Sequence, residues 1–237
     1  RRIRRTQASW TASFAVNAAF GIGPGARVAV LGRLVHSLSL YGAIEGLHLG
    51  AEVHLLDTLR PDRQRIALAN RQITHLYATP AQLRLLTEGQ GQCPALHLIL
   101  VGGSKLDPAL RAALATIAPK AQIREFYGAA ETSFITLADE TTPDTSVGRP
   151  YPGVELTLDP TGEVWVRSPY LFLDYATPTF HICPNIPAGG SPEPVARPSR
   201  AEARQKACAS ALVSTPTATR WRDGWLSVGE IGSMENG

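Results

Sequence analysis

The stretch Leu98-Ile99-Leu100-Val101-Gly102-Gly103-Ser104-Lys105-Leu106-Asp107-Pro108-Ala109-Leu110 carries the reading of the fold. Its first four residues are an apolar run of strand length, and Gly102-Gly103 ends the run in a turn. Asp107-Pro108 then sets a capping side chain before a proline, which is how helices start. Leu110, Ala113, Leu114 and Ile117 follow at i, i+3, i+4 and i+7, the stripe of a helix laid against a core. Strand, turn and capped helix together make one half of a β-α-β unit.

Working outward, the same alternation fills Arg27 to Phe126. Val28–Leu31, Val53–Leu56 and His75–Tyr77 read as further buried strands. Leu38 to Leu49 reads as a helix ended by Gly50. Pro61 to Arg71 reads as a helix with Ile66, Ala69 and Ile73 at helical spacing, and Thr79-Pro80 repeats the capped start. Ile123 to Phe126 reads as a strand, and Gly128-Ala129-Ala130 as a turn of small residues just beyond it. The fold class is therefore α/β, a mainly parallel sheet flanked by helices.

Beyond Glu131 the texture changes. Val154–Leu158 and Glu163–Arg167 alternate around Asp159-Pro160-Thr161-Gly162, a hairpin pattern. The expected organisation is an α/β subdomain over 1–136, followed by a smaller β-rich subdomain over 137–237. Within the latter, 177–216 holds Pro178, Pro184, Pro187, Pro192, Pro194 and Pro198 with Ala/Ser-rich text, and reads as a mobile insertion. Organised sequence returns at Trp221 to Leu226.

Composition narrows the classes. A net charge of +3 over 237 residues is small. The basic run Arg1-Arg2-Ile3-Arg4-Arg5 reads as a solvated helix face, because no aromatic-and-basic pattern continues it toward nucleic acid or membrane binding. The three cysteines, Cys93, Cys183 and Cys208, are odd in number and far apart, so a disulfide framework is not expected and a cytoplasmic setting is the default. No apolar run approaches the ~20 residues of a membrane span. With Arg at position 1 and the only Met at 234, the text reads as a piece of a longer product.

Two turns point to chemistry. Val101 to Leu106 and Tyr127 to Glu131 both follow strands, so in a parallel sheet both open on the carboxyl edge, where ligands bind in α/β folds. Small residues there admit a ligand close to the backbone, Tyr127 offers a stacking face, and Glu131 is a hard carboxylate suited to Mg2+. The same text also fits a tight turn with a solvated Glu and a core Tyr. No G-x-G-x-x-G follows the first strand, which counts against a dinucleotide-binding oxidoreductase.

The order and text of VGGSKL (101–106), EFYGAAETS (125–133), VGRPYPGVEL (147–156), GEVWVRSPYLFLDYA (162–176) and RDGWLSVGEIGSMENG (222–237) resemble the adenylate-forming superfamily, in particular its acyl-CoA synthetases. The resemblance implies an AMP-forming ligase that joins a carboxylic acid to AMP with Mg-ATP and passes the acyl group to coenzyme A. It places Gly103, Ser104 and Lys105 along the adenine, with Tyr127 stacked on it and Gly128, Ala129 and Ala130 beside the nucleotide. Glu131 matches the magnesium-binding Glu, Glu230 the ribose-holding acid, and His36 the His near the acyl carboxylate. His36, Gly102 and Ala129 would border the acid and set its size.

The chain departs from the pattern at Ala130, where a hydroxyl residue is usual, at Glu230, usually Asp, and at Asp174, usually Gly. The family's phosphate loop and its C-terminal domain with the catalytic Lys find no counterpart in these residues, so these residues alone are expected to be inactive. Two other readings share the same motifs: an adenylation module that loads a carrier protein, and a degenerate remnant that binds nucleotide without catalysis.

Overall fold

The computed structural model describes residues 2–176 and 219–234. The expected insertion at 177–216 lies outside the described residues. In chain order, β1 (Ile3–Arg4) leads into α1 (Gln7–Asn17), then β2 (Arg27–Val30), α2 (Ser37–His48), β3 (Glu52–Leu55), α3 (Pro61–Asn70), β4 (His75–Ala78), α4 (Pro80–Thr87), β5 (Leu98–Val101), α5 (Pro108–Ile117) and β6 (Gln122–Ala129). β7 (Ser133–Ala138), β8 (Arg149–Pro150), β9 (Glu155–Leu158), β10 (Val164–Arg167), β11 (Asp174–Tyr175), β12 (Arg220–Arg222) and β13 (Trp225–Ser227) follow.

A seven-stranded sheet of order β3-β2-β4-β5-β6-β7-β8 forms the centre. The first five of these strands run parallel, and β7 and β8 each join antiparallel to a neighbour. The fold is thus α/β with a mixed sheet flanked by helices, as the alternation implied. β4 and β5 are buried at every position, which is why they read as unbroken apolar runs. Capping holds the helix starts as expected: Thr79 and Gln82 exchange side-chain and backbone bonds, and Asp107 accepts from Leu110 N–H at 2.8 Å.

A separate four-stranded antiparallel sheet of order β12-β13-β10-β9 packs Val166 of β10 into a core shared with Val28, Leu98 and Phe134 of the large sheet. The hairpin between β9 and β10 matches its prediction, with Thr157 opposite Trp165 and Asp159 Oδ1 accepting from Thr161 N–H at 2.8 Å. Asp223 and Gly224 take positive φ of 48° and 82° at the β12–β13 turn, the conformation of a two-residue hairpin loop.

Four local expectations fail. β3 is not a buried strand: it lies at the edge of the sheet, with Val53 and His54 half-buried and Leu55 exposed. Residues 128–130 are not the turn: β6 runs on to Ala129, and the chain reverses over Ala130 to Thr132. β7 returns alongside with a register shift between Tyr127 and Gly128, which keeps the backbone groups paired instead of leaving them to a loop. The basic start is not a helix face. Ile3 and Arg4 pair with Tyr175 and Asp174 in a small separate sheet, and the helix begins only at Gln7 behind the Thr6 cap. In α3 the buried residues are Gln64, Arg65 and Leu68, while Ile66 is exposed.

Candidate functional site

The loop between β5 and α5 and the far half of β6 meet at the carboxyl edge of the parallel strands. Gly102 permits that meeting: a side chain there would sit 2.2 Å from the Phe126 ring. Gly103 follows with φ +96°, a left-handed turn that opens for a residue without Cβ. Gly128 is required more strictly, because a Cβ would lie 1.9 Å from the Ser133 carbonyl oxygen. Thr132, fully buried, closes the reversal by accepting Ala129 N–H at 2.9 Å, and Ser133 takes an unusual positive φ of 61°.

Two adjoining cavities result. The smaller, of about 190 Å³, is lined by Gly103, Ser104, Lys105, Tyr127, Gly128 and Glu230 together with Glu125, Phe126 and Val147. Every one of those first six was a predicted cofactor contact. The larger is an open cleft of about 1980 Å³ whose walls include His36, Gly102, Gly103, Gly128, Ala129, Ala130 and Glu131. Gly103, Phe126 and Gly128 belong to both walls, so the two spaces meet across the backbone of the two glycines and the Phe126 ring.

Electrostatics differ between them. At the smaller cavity the Tyr127 hydroxyl donates to the Glu230 carboxylate, which fastens β6 to the segment after β13. Burial, reinforced by that carboxylate, raises the Tyr127 phenol well above its ordinary range, so it stays protonated and a donor. The Lys105 ammonium is engaged: it donates to the Ser146 carbonyl and lies 3.5 Å from buried Glu125. Glu125 also accepts Leu106 N–H at 3.0 Å, which holds the loop that carries Gly103 and Ser104 in place.

In the cleft, Glu131 is half-buried, and its Oε1 accepts the Tyr175 phenol at 2.8 Å. His36 is exposed at the start of α2, with no side-chain capping bond. Apolar and aromatic side chains, Trp10, Phe14, Leu34, Leu38 and Ile44, also line the cleft, together with Arg2, Arg4 and Arg5 from the start of the chain. Sequence reasoning passed over Tyr175, whose spacing carries no signal of its partner, and over the α1 residues, which the basic run obscured.

A family model for AMP-binding enzymes matches residues 4–176. The chain belongs to this AMP-binding family. Among curated relatives, the uncharacterised acyl-CoA ligase YhfT of Bacillus subtilis is 29% identical over 185 residues, covering 72% of this chain and 39% of the relative. The chain therefore spans about two fifths of the length of the relative it matches. Among solved structures, O-succinylbenzoate coenzyme A synthetase from Bacillus subtilis, in complex with ATP and magnesium ion, superposes with a TM-score of 0.70 at 18% identity, over 99% of this chain and 45% of that one. The amide bond synthetase McbA from Marinactinospora thermotolerans gives 0.69 at 23% identity, over 98% and 44%. At such identities the likeness is one of fold. Among the described residues no helix is long and apolar enough to cross a membrane.

Proposed function

We propose that the protein is an AMP-forming ligase that activates an apolar carboxylic acid as its acyl-adenylate and transfers the acyl group to coenzyme A. One observation carries this reading: residues assigned to the nucleotide and residues assigned to the acid line two cavities that meet at Gly103 and Gly128. That placement suits a reaction in which the acid must reach the α-phosphate of a bound nucleotide, releasing pyrophosphate. The name of the relative YhfT, an acyl-CoA ligase, supports coenzyme A as the thiol.

In this reading Gly103, Ser104 and Lys105 flank the adenine, Tyr127 stacks on it and Glu230 holds the ribose. The Tyr127–Glu230 bond fits that assignment, because it presents ring and carboxylate side by side. Gly128, Ala129 and Ala130 let the phosphates approach the backbone at the end of β6. Gly102, Ala129 and His36 border the acid, and the wall of Trp10, Phe14, Leu38 and Ile44 suits an apolar, fatty-acid-like body.

Glu131 is the residue that would hold Mg2+. Among the described residues no cluster of three or more His, Cys, Asp or Glu exists, so a dedicated all-protein cage is absent there. A lone carboxylate fits Mg2+ better than such a cage would, since this ion is usually bound by one or two carboxylates plus substrate phosphates. When bound, the ion neutralises charge that builds on the phosphates during transfer. The chain's own residues supply orientation and exclude water from the apolar end of the cleft.

The test, run on the full-length product of which these residues are a part, is carboxylate-dependent exchange of pyrophosphate into ATP across a panel of acids. Exchange should appear with apolar acids and be lost in Glu131→Ala, and that variant should weaken Mg-ATP binding roughly tenfold while AMP binding stays within about twofold. Equal losses for both ligands would remove the metal role, and no exchange with any acid would remove the enzyme. Thioester formation with free coenzyme A, and not with a phosphopantetheine-bearing carrier, separates the ligase from the carrier-loading module.

A further inference from the structure

Glu131 is gripped twice by one short segment. Its backbone carbonyl accepts Phe172 N–H at 2.8 Å, and its side-chain Oε1 accepts the Tyr175 phenol at 2.8 Å. Tyr175 Oη also lies 2.6 Å from Thr219 Oγ1. A phenol carries a single proton. Spent on the carboxylate, that proton leaves Thr219 to donate into the phenol oxygen, so the hydrogen bonds run in one direction, from Thr219 through Tyr175 to Glu131.

The grip is itself anchored. Tyr175 and Asp174 form β11, opposite Ile3 and Arg4 of β1. Leu173 N–H donates to the Arg4 carbonyl at 2.8 Å and Ala176 N–H to the Arg2 carbonyl at 2.9 Å. Asp174, which replaces an expected Gly, accepts both Arg4 Nε at 2.6 Å and Arg4 Nη2. The pair is exposed, so it adds alignment more than stability. The Phe172 and Tyr175 rings meet edge to face with centroids 5.1 Å apart. The basic start of the chain and the departure at Asp174 therefore serve one structure, a clasp behind the carboxylate.

We propose that Tyr175 is a positioning residue for Glu131, fixing one carboxylate oxygen so that the other is presented to the cation in the cleft. This rests on the reading of Glu131 as the magnesium-binding residue. A Glu side chain has three rotatable bonds, and holding it in one geometry costs conformational entropy at the moment of binding. A bond already made by Tyr175 lowers that cost before the ligand arrives.

Manganese is the probe, titrated by its electron spin resonance signal in the presence of ATP, with AMP affinity and the thermal midpoint measured on the same samples. Tyr175→Phe should weaken Mn2+ uptake about tenfold, the scale of a hydrogen bond to a charged group, and leave AMP affinity within about twofold. Glu131→Ala should lose at least as much, and the double variant no more than Glu131→Ala alone. Wild-type Mn2+ affinity in Tyr175→Phe beside a loss in Glu131→Ala overturns the positioning role and leaves the metal role standing. Wild-type affinity in Glu131→Ala overturns both. Where Tyr175→Phe lowers the thermal midpoint, Thr219→Val decides instead: it keeps the phenol and should weaken Mn2+ uptake about threefold, and no change overturns the proposal.

Discussion

Ala130 stands on the cleft wall beside Glu131, at the point where β6 gives way to the reversal. A methyl group there offers no hydrogen to a phosphate oxygen. Ala130→Thr restores a hydroxyl at a position open to the cleft, and a typical hydrogen bond gains a net ~0.5–1.5 kcal/mol after exchange with water. The expected outcome is a two- to tenfold gain in nucleotide affinity, read by calorimetric titration with ATP and with AMP; a loss would show that the side chain obstructs the phosphates. At this scale the sequence was informative about residue type and weak about environment. Glu131 stood out because a charge follows an apolar strand. Tyr175 did not, because its bond to Glu131 spans 44 positions and no local pattern encodes it. Lys105 was placed beside the adenine by the resemblance alone, which could not tell that its ammonium answers to Glu125 and Ser146.

Among the elements, α5 and α3 show when periodicity succeeds. In α5, Leu110, Leu114 and Ile117 are all buried, so the stripe read from spacing is the stripe that packs. In α3 the packed face carries Gln64 and Arg65. Gln64 Nε2 donates to the carbonyls of Leu31 at 3.1 Å and Leu56 at 2.9 Å, joining the ends of β2 and β3. The Arg65 guanidinium donates to the carbonyls of Leu86 and Thr87 at the end of α4 and to those of Gly89 and Gly91 beyond it. Two polar residues thus do what an apolar stripe does elsewhere, and a hydrophobicity pattern cannot report them. Arg65→Met should cost on the order of 3 kcal/mol, seen as a lower urea midpoint at unchanged slope, since several carbonyls lose a charged donor. Arg65→Lys should recover less than half of that loss, because a single ammonium cannot span the planar fork.

Across the whole molecule, a buried carboxylate joins the parts. Glu45 of α2 accepts Asn17 Nδ2 of α1 at 2.8 Å, the hydroxyl of Tyr41 at 3.0 Å and that of Tyr77 on β4. Tyr151, just after β8, donates to Asn17 Oδ1 at 2.6 Å and brings the antiparallel edge into the same network. Burial pushes the Glu45 carboxyl up from its ordinary 4.5 to about 7, against the pull of the Tyr77, Asn17 and Tyr41 donors. Between those two values the folded chain keeps a proton that the unfolded chain has released, so stability falls as pH rises and levels off above about 7. The change is on the order of 3 kcal/mol. Glu45→Gln should lack this slope, which unfolding midpoints of both proteins from pH 5 to 8 would reveal; parallel profiles would count against it. The sequence by itself determined the α/β alternation, the helix caps, the hairpin and the residue types at the carboxyl edge, because these follow from periodicities of two and 3.6 and from turn chemistry within a few residues. Only the tertiary structure decided that β6 runs on into an antiparallel return, that Arg4 and Asp174 clasp behind Glu131, and that Tyr127 reaches Glu230 to seat two cavities against each other. Those contacts join residues from four to 170 positions apart, and such pairing is set by packing and hydrogen-bond satisfaction in three dimensions, which a local pattern does not carry.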